Sequence, residues 1–136
     1  MGDCTGRRKF MNILKGLGAI LAGIIFIVVS HSLMDFILES LGIFTPPSAG
    51  FHVTWMIVTA IIYRSVLSVA GGWITAALAP DPPMRYVLIM AAIGLLAGIL
   101  GAVVTIPMGI TQPWYPVALA VTGPICVWLG GKLKTR

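Results

Sequence analysis

Charge is what this chain has least of. Only 10% of its 136 residues are charged, against about 25% in a soluble domain. Mean hydropathy is +1.00. A chain this poor in charge cannot solvate the surface of a globular fold, so the composition excludes a soluble domain and selects the membrane class. Acids are scarcer than bases, four against nine. The bases gather near the ends of the chain and form no face, which argues against a nucleic-acid partner and for anchoring at an anionic leaflet. Cysteine is limited to Cys4 in the polar N-terminal segment and Cys126 inside the last apolar run. Neither a disulfide nor a four-ligand zinc site is expected from that pair. No nucleophile with a positioned base and no glycine-rich phosphate loop occurs, so the residues point to neither an enzyme nor a cofactor.

What is abundant is apolar sequence in lengths that suit a bilayer. About 20 helical residues cross its ~30 Å of hydrocarbon. The chain reads as four such helices over residues 12–41, 52–79, 83–105 and 114–131, with Gly42 as the stop of the first. The turns are Thr45-Pro46-Pro47-Ser48-Ala49-Gly50, Pro80-Asp81-Pro82-Pro83 and the uncharged stretch from Ile106 to Pro113. Asp81 is expected to cap the third helix, with Pro82 at its first position. Arg64 interrupts the second run, but the pieces on either side are too short to span alone and no Gly or Pro adjoins it. One continuous helix carrying an arginine follows. Pro124 should kink the fourth helix by removing a backbone hydrogen bond. The predicted fold is an all-α polytopic membrane protein, a single domain over residues 1–136 forming a four-helix antiparallel bundle.

Orientation follows from the cationic side chains. Arg7, Arg8, Lys9 and Lys15 precede the first helix, Arg85 follows the second turn, and Lys132, Lys134 and Arg136 follow the fourth helix. Four spans with both termini cytoplasmic put all eight on the inner side, as the positive-inside rule requires. An odd number of spans would misplace the C-terminal cluster. Trp55, Trp114 and Tyr115 then belong to the outer aromatic belt, Tyr86 and Trp128 to the inner one. Cleavage after Ser30-His31-Ser32 would leave three spans, so a removed signal peptide is not expected. The Arg7-Arg8 pair reads as an anchor rather than a twin-arginine export signal.

Lipid gives helices no hydrophobic reason to associate, so small residues must let backbones approach. They recur at four-residue spacing: Ala19 and Gly23, with Gly16 nearby; Ser68, Gly72 and Ala76; Gly94, Gly98 and Ala102; Ala97 and Gly101. The third helix, small on two faces, is expected at the centre, and the glycines are expected to be packing seams.

The polar residues inside the spans need an explanation. His31, Asp35 and Glu39 share one face of the first helix, and an unpaired Arg64 at that depth costs about 3 kcal/mol. A buried Arg64–Asp35 pair is therefore predicted, with His31 hydrogen-bonded beside it and Ser30, Ser32, Ser65 and Ser68 completing the network. Two roles fit the cluster His31, Asp35, Glu39 and Arg64. It is a clip that fixes the register of two helices, or it lines a polar cavity and handles an ion or proton. A haem site at His31 and His52, or a metal site at His31, Asp35 and His52, is poorly supported by the spacing.

From the second helix onward the pattern is Tyr63-Arg64-Ser65, Gly71-Gly72-Trp73, Ala77-Leu78-Ala79-Pro80, Pro83-Met84, Gly94, Pro113-Trp114-Tyr115-Pro116, Pro124 and Gly130-Gly131. Over roughly residues 55–131 the chain resembles a group of small four-span bacterial inner-membrane proteins with no assigned activity. That resemblance implies topology and a bacterial inner-membrane location, and nothing about chemistry. Small multidrug transporters share the size and span count but place a glutamate mid-span in the first helix, where this chain is apolar. The expected role is a structural or accessory component in the lipid bilayer, with a small ion- or proton-coupled transporter or channel as the alternative. Four short helices enclose little volume, so a homo-oligomer would favour transport, whereas a place in a larger membrane assembly would favour the accessory role.

Overall fold

The computed structural model describes residues 2–136 of the chain. It is built of four long helices, α1 (Gly2–Ser40), α2 (Thr54–Leu78), α3 (Pro83–Met108) and α4 (Trp114–Thr135), plus a short 3-10 turn at Pro47–Ala49. Each of the four is long and apolar enough to cross a membrane. Large apolar side chains such as Leu21, Ile25, Phe36, Leu96, Leu100 and Val121 point outward and are more than half exposed. That pattern suits a lipid-facing surface and would be untenable in water.

Local chemistry accounts for most helix ends. Gly42 takes φ +71, a left-handed conformation that only glycine adopts freely. The Gly42 N–H then donates to the Glu39 carbonyl at 3.0 Å and that of Ile43 to Leu38 at 2.9 Å, closing α1. Gly109, at φ +65, closes α3 in the same way. Asp81 does not cap α3. The residue before it is Pro82, with ψ 124 and no side-chain capping bond. A residue preceding proline is pushed out of helical geometry, so Pro83 holds Pro82 extended in the cap position, and the helix begins at Pro83, as expected, without Asp81.

Three helices are longer than the apolar runs suggested, and α2 is slightly shorter. α1 starts ten residues before Asn12, because hydropathy marks where a helix enters oil and not where it nucleates. Its 39 residues measure about 58 Å at 1.5 Å per residue, well beyond the ~30 Å of a hydrocarbon core. α3 runs through Pro107, which sits in its last turn. α4 continues to Thr135 with Lys132 and Lys134 in its last turn, where cations favour the negative end of the helix dipole.

Side-chain contacts fix the arrangement. α4, rather than α3, is the most engaged helix, packed along both α2 and α3; α1 lies mainly on α2, touches α3 lightly and does not meet α4. The end that holds both chain termini is tight. Ile20, Ala76, Val87, Met90, Ala91 and Val127 form its core. Thr75 is fully buried there and its hydroxyl lies within reach of the Gly71 and Ala19 carbonyls, at 3.1 and 3.3 Å. At the opposite, distal end the α1–α2 and α3–α4 loops are stitched together. The Phe51 N–H donates to the Ile110 carbonyl at 2.8 Å, and Gln112 Nε2 donates to the His52 carbonyl at 2.5 Å. Nothing in the composition of these two loops marks them as partners.

Candidate functional site

The polar cluster forms where α1 and α2 cross in their distal halves. Arg64 donates through its terminal guanidinium nitrogen to Asp35 Oδ2 at 2.5 Å. It is the only ion pair among the described residues. The spacing explains it. Asp35 lies one turn from the distal end of α1 and Arg64 about three turns into α2. An arginine on α2 leans toward that helix's N-terminus, hence toward Asp35. His31 Nε2 lies 3.3 Å from the Arg64 carbonyl oxygen. Because a carbonyl only accepts, Nε2 carries the proton in that contact.

Two parts of the expected network differ. The serines do not complete it: Ser30 Oγ donates to the Ile27 carbonyl and Ser65 Oγ to that of Ile61, each on its own helix. A hydroxyl within a turn of a backbone carbonyl satisfies itself locally before it reaches across a seam. The second ligand of Asp35 is instead Tyr63, whose hydroxyl donates to Oδ1. Asp35 thus holds neighbouring side chains of α2 on its two oxygens. Tyr63 adjoins Arg64 in sequence, and a phenol beside an intramembrane cation was the available signal.

The cluster is not sealed. Arg64 and Asp35 side chains keep 24% and 30% of their surface exposed. Both line a cavity of about 420 Å³ in the distal half. Glu39, one turn beyond Asp35, lines it too and makes no side-chain hydrogen bond or ion pair among the described residues. The roof comes from Phe44, Phe51 and Tyr115, with ring centroids 5.2 Å apart for Phe44–Phe51 and 5.5 Å for Phe51–Tyr115. Tyr115 therefore belongs to the cavity wall rather than to a surface belt. Thr111, also on the wall, has a buried hydroxyl with no partner. A second cavity of about 350 Å³ shares Arg64, Gly98 and Leu119 with the first. It reaches from His31 down to Ile27, Ala91 and Val127.

The opening lies between α1 and α3. Glycines place their contacts at the terminal end, where a side chain at Gly16 would strike Tyr86 and one at Gly23 would strike Met90. Farther along α3, a Cβ added at Gly94 or Gly101 would meet nothing within 4 Å. These two are exposed and line the cavities, so they are not the packing seams their spacing suggested. Only Gly98 is packed, with an added Cβ 2.9 Å from the Ala120 backbone.

All four sequence-predicted residues therefore border the two adjoining cavities: Asp35, Glu39 and Arg64 line the first, and His31 and Arg64 the second. His52 is exposed near the loop and stands apart from it. Comparison with protein-family models, with curated proteins and with solved structures finds no match for this chain.

Proposed function

We propose that this is a four-span membrane protein that binds a small molecule in an intramembrane chamber, as a carrier or small transporter. Both termini face the cytoplasm and the stitched loops face outward. The bacterial inner membrane is the host that the resemblance suggests. The Arg64–Asp35–Tyr63 arrangement does two jobs: it clips α1 to α2 and it forms the polar wall of the chamber. One observation carries the reading. The paired charges are not packed in on every side: they front a cavity within the ~300–1,000 Å³ range of small-molecule sites. A single copy supplies that volume, so oligomerisation is not required for binding.

Thiol labelling tests it. Thr105 lines the cavity, and Thr105→Cys in a background with Cys4 and Cys126 changed to Ser should react with a charged, membrane-impermeant thiosulfonate added outside cells. Addition to inverted vesicles should leave it unmodified. Failure to react from either side, with full reaction to a membrane-partitioning maleimide, would remove the chamber.

A second reading, an accessory component of a larger assembly, is favoured by residues 2–15 of α1. This stretch extends past the core with Arg7, Arg8, Phe10, Met11 and Leu14 exposed. Stoichiometric co-purification of another membrane protein, lost on deleting residues 2–11, would support it.

A further inference from the structure

From the lining we infer that the chamber takes an amphiphilic cation: a positively charged head beside Glu39 and an apolar tail running down the α1–α3 cleft. The inference rests on the chamber reading and adds the chemistry of its ligand.

Charge is the first argument. Asp35, Glu39 and Arg64 are the charged groups on the wall. Arg64 and Asp35 neutralise each other at 2.5 Å, which leaves the Glu39 carboxylate uncompensated. Two carboxylates against one guanidinium leave the wall with a net negative charge, so an anionic head at Arg64 would sit among carboxylates one turn apart on α1, whereas a cationic head meets the unpaired one.

The rings are the second argument. Phe44, Phe51 and Tyr115 gather on the same wall as Glu39. Aromatic faces attract desolvated cations, and an ammonium carrying alkyl groups loses little hydration when it meets them.

Shape is the third. Glu39 and Ile27 stand twelve residues apart on α1, about 18 Å of helix, and the two cavities cover that length between them. Below His31 and Arg64 the hydroxyls of Ser65 and Thr122 are already bonded to their own helices, and Ile27, Ala91, Leu119 and Val127 give the lower cavity an apolar wall in which Ser68 is the other polar side chain. Gly94 and Gly101 leave α3 without side chains along the opening, so a tail can enter sideways from lipid while its head stays at the distal end.

The test uses the full chain in nanodiscs of a zwitterionic phospholipid, with empty nanodiscs subtracted. Binding of tetradecyltrimethylammonium is compared with that of tetradecyl sulfate, tetradecyl maltoside and tetramethylammonium. The expected result is a half-saturating concentration for the long cation at least tenfold below all three others. Glu39→Gln should erase that advantage while thermal unfolding stays unchanged, since Glu39 has no partner to lose. Gly94→Leu, which fills the tail path, should weaken the long cation at least fivefold and leave tetramethylammonium unaffected. Equal or tighter binding of the sulfate overturns the inference, as does cation binding that survives Glu39→Gln. If no amphiphile binds, the ligand assignment is wrong. Thr105→Cys labelling then decides separately whether the chamber itself stands.

Discussion

The seam between α2 and α4 and the cleft between α1 and α3 are written in the same residues and behave in opposite ways. Both carry glycine and alanine at four-residue spacing. In the seam a Cβ at Gly72 would overlap the Val127 carbonyl oxygen, and one at Gly130 the Val69 carbonyl oxygen. Backbone lies on backbone, and neither glycine can change. In the cleft Gly94 and Gly101 face open space, and their smallness leaves volume instead of contact. A small residue therefore permits close approach without causing it. What decides is whether other contacts bring the partner helix in. Here α1 is drawn onto α2 by Asp35, Tyr63 and Arg64, which holds it away from α3 in the distal half.

The largest expected effect lies in the seam. Gly130→Val must push α2 and α4 apart, with a loss of roughly 3 kcal/mol or more, read as a collapse of thermal stability in mild detergent. A stable Gly130→Val protein would show that the two backbones do not touch. The clip comes next. Asp35→Ala leaves Arg64 without its anion and should cost about 2–3 kcal/mol, at the low end for a broken buried pair because both groups are partly exposed. Asp35→Ala with Arg64→Leu should recover at least half of that loss. No recovery in the double variant would mean that the pair is not the source of the stability. Thr75→Val, which removes a buried hydroxyl shared between α1 and α2, should cost about 1 kcal/mol. The smallest effect belongs to the cleft. Gly94→Ala should be neutral or stabilising by up to about 0.5 kcal/mol, since alanine is the better helix former and nothing opposes its methyl. A loss above 1 kcal/mol on that change would show the cleft closed in the bilayer and erase the contrast.

Much of the site was legible before any coordinates. A carboxylate at Asp35 and a guanidinium at Arg64, at matched depth on neighbouring helices, had to meet, because oil leaves neither another partner. His31 and Glu39 followed by periodicity. The reading failed where competition was local. Ser30 and Ser65 turned to their own backbone, and Asp81 was set aside by the Pro82-Pro83 geometry. It also failed where long-range contacts chose among equivalent options: Tyr63 as the second partner of Asp35, Tyr115 on the chamber wall, and α4 rather than α3 as the most engaged helix.

By itself the sequence determined four apolar helices, their turns and the pairing of the intramembrane charges. Helix length, turn chemistry and the penalty of an unpaired charge in oil are all properties of short segments or of single groups. Tertiary structure alone decided which glycines touch and which face a void, because close approach depends on where a whole neighbouring helix lies. The chamber exists through that decision: the same contacts that tie α1 to α2 keep it from covering α3.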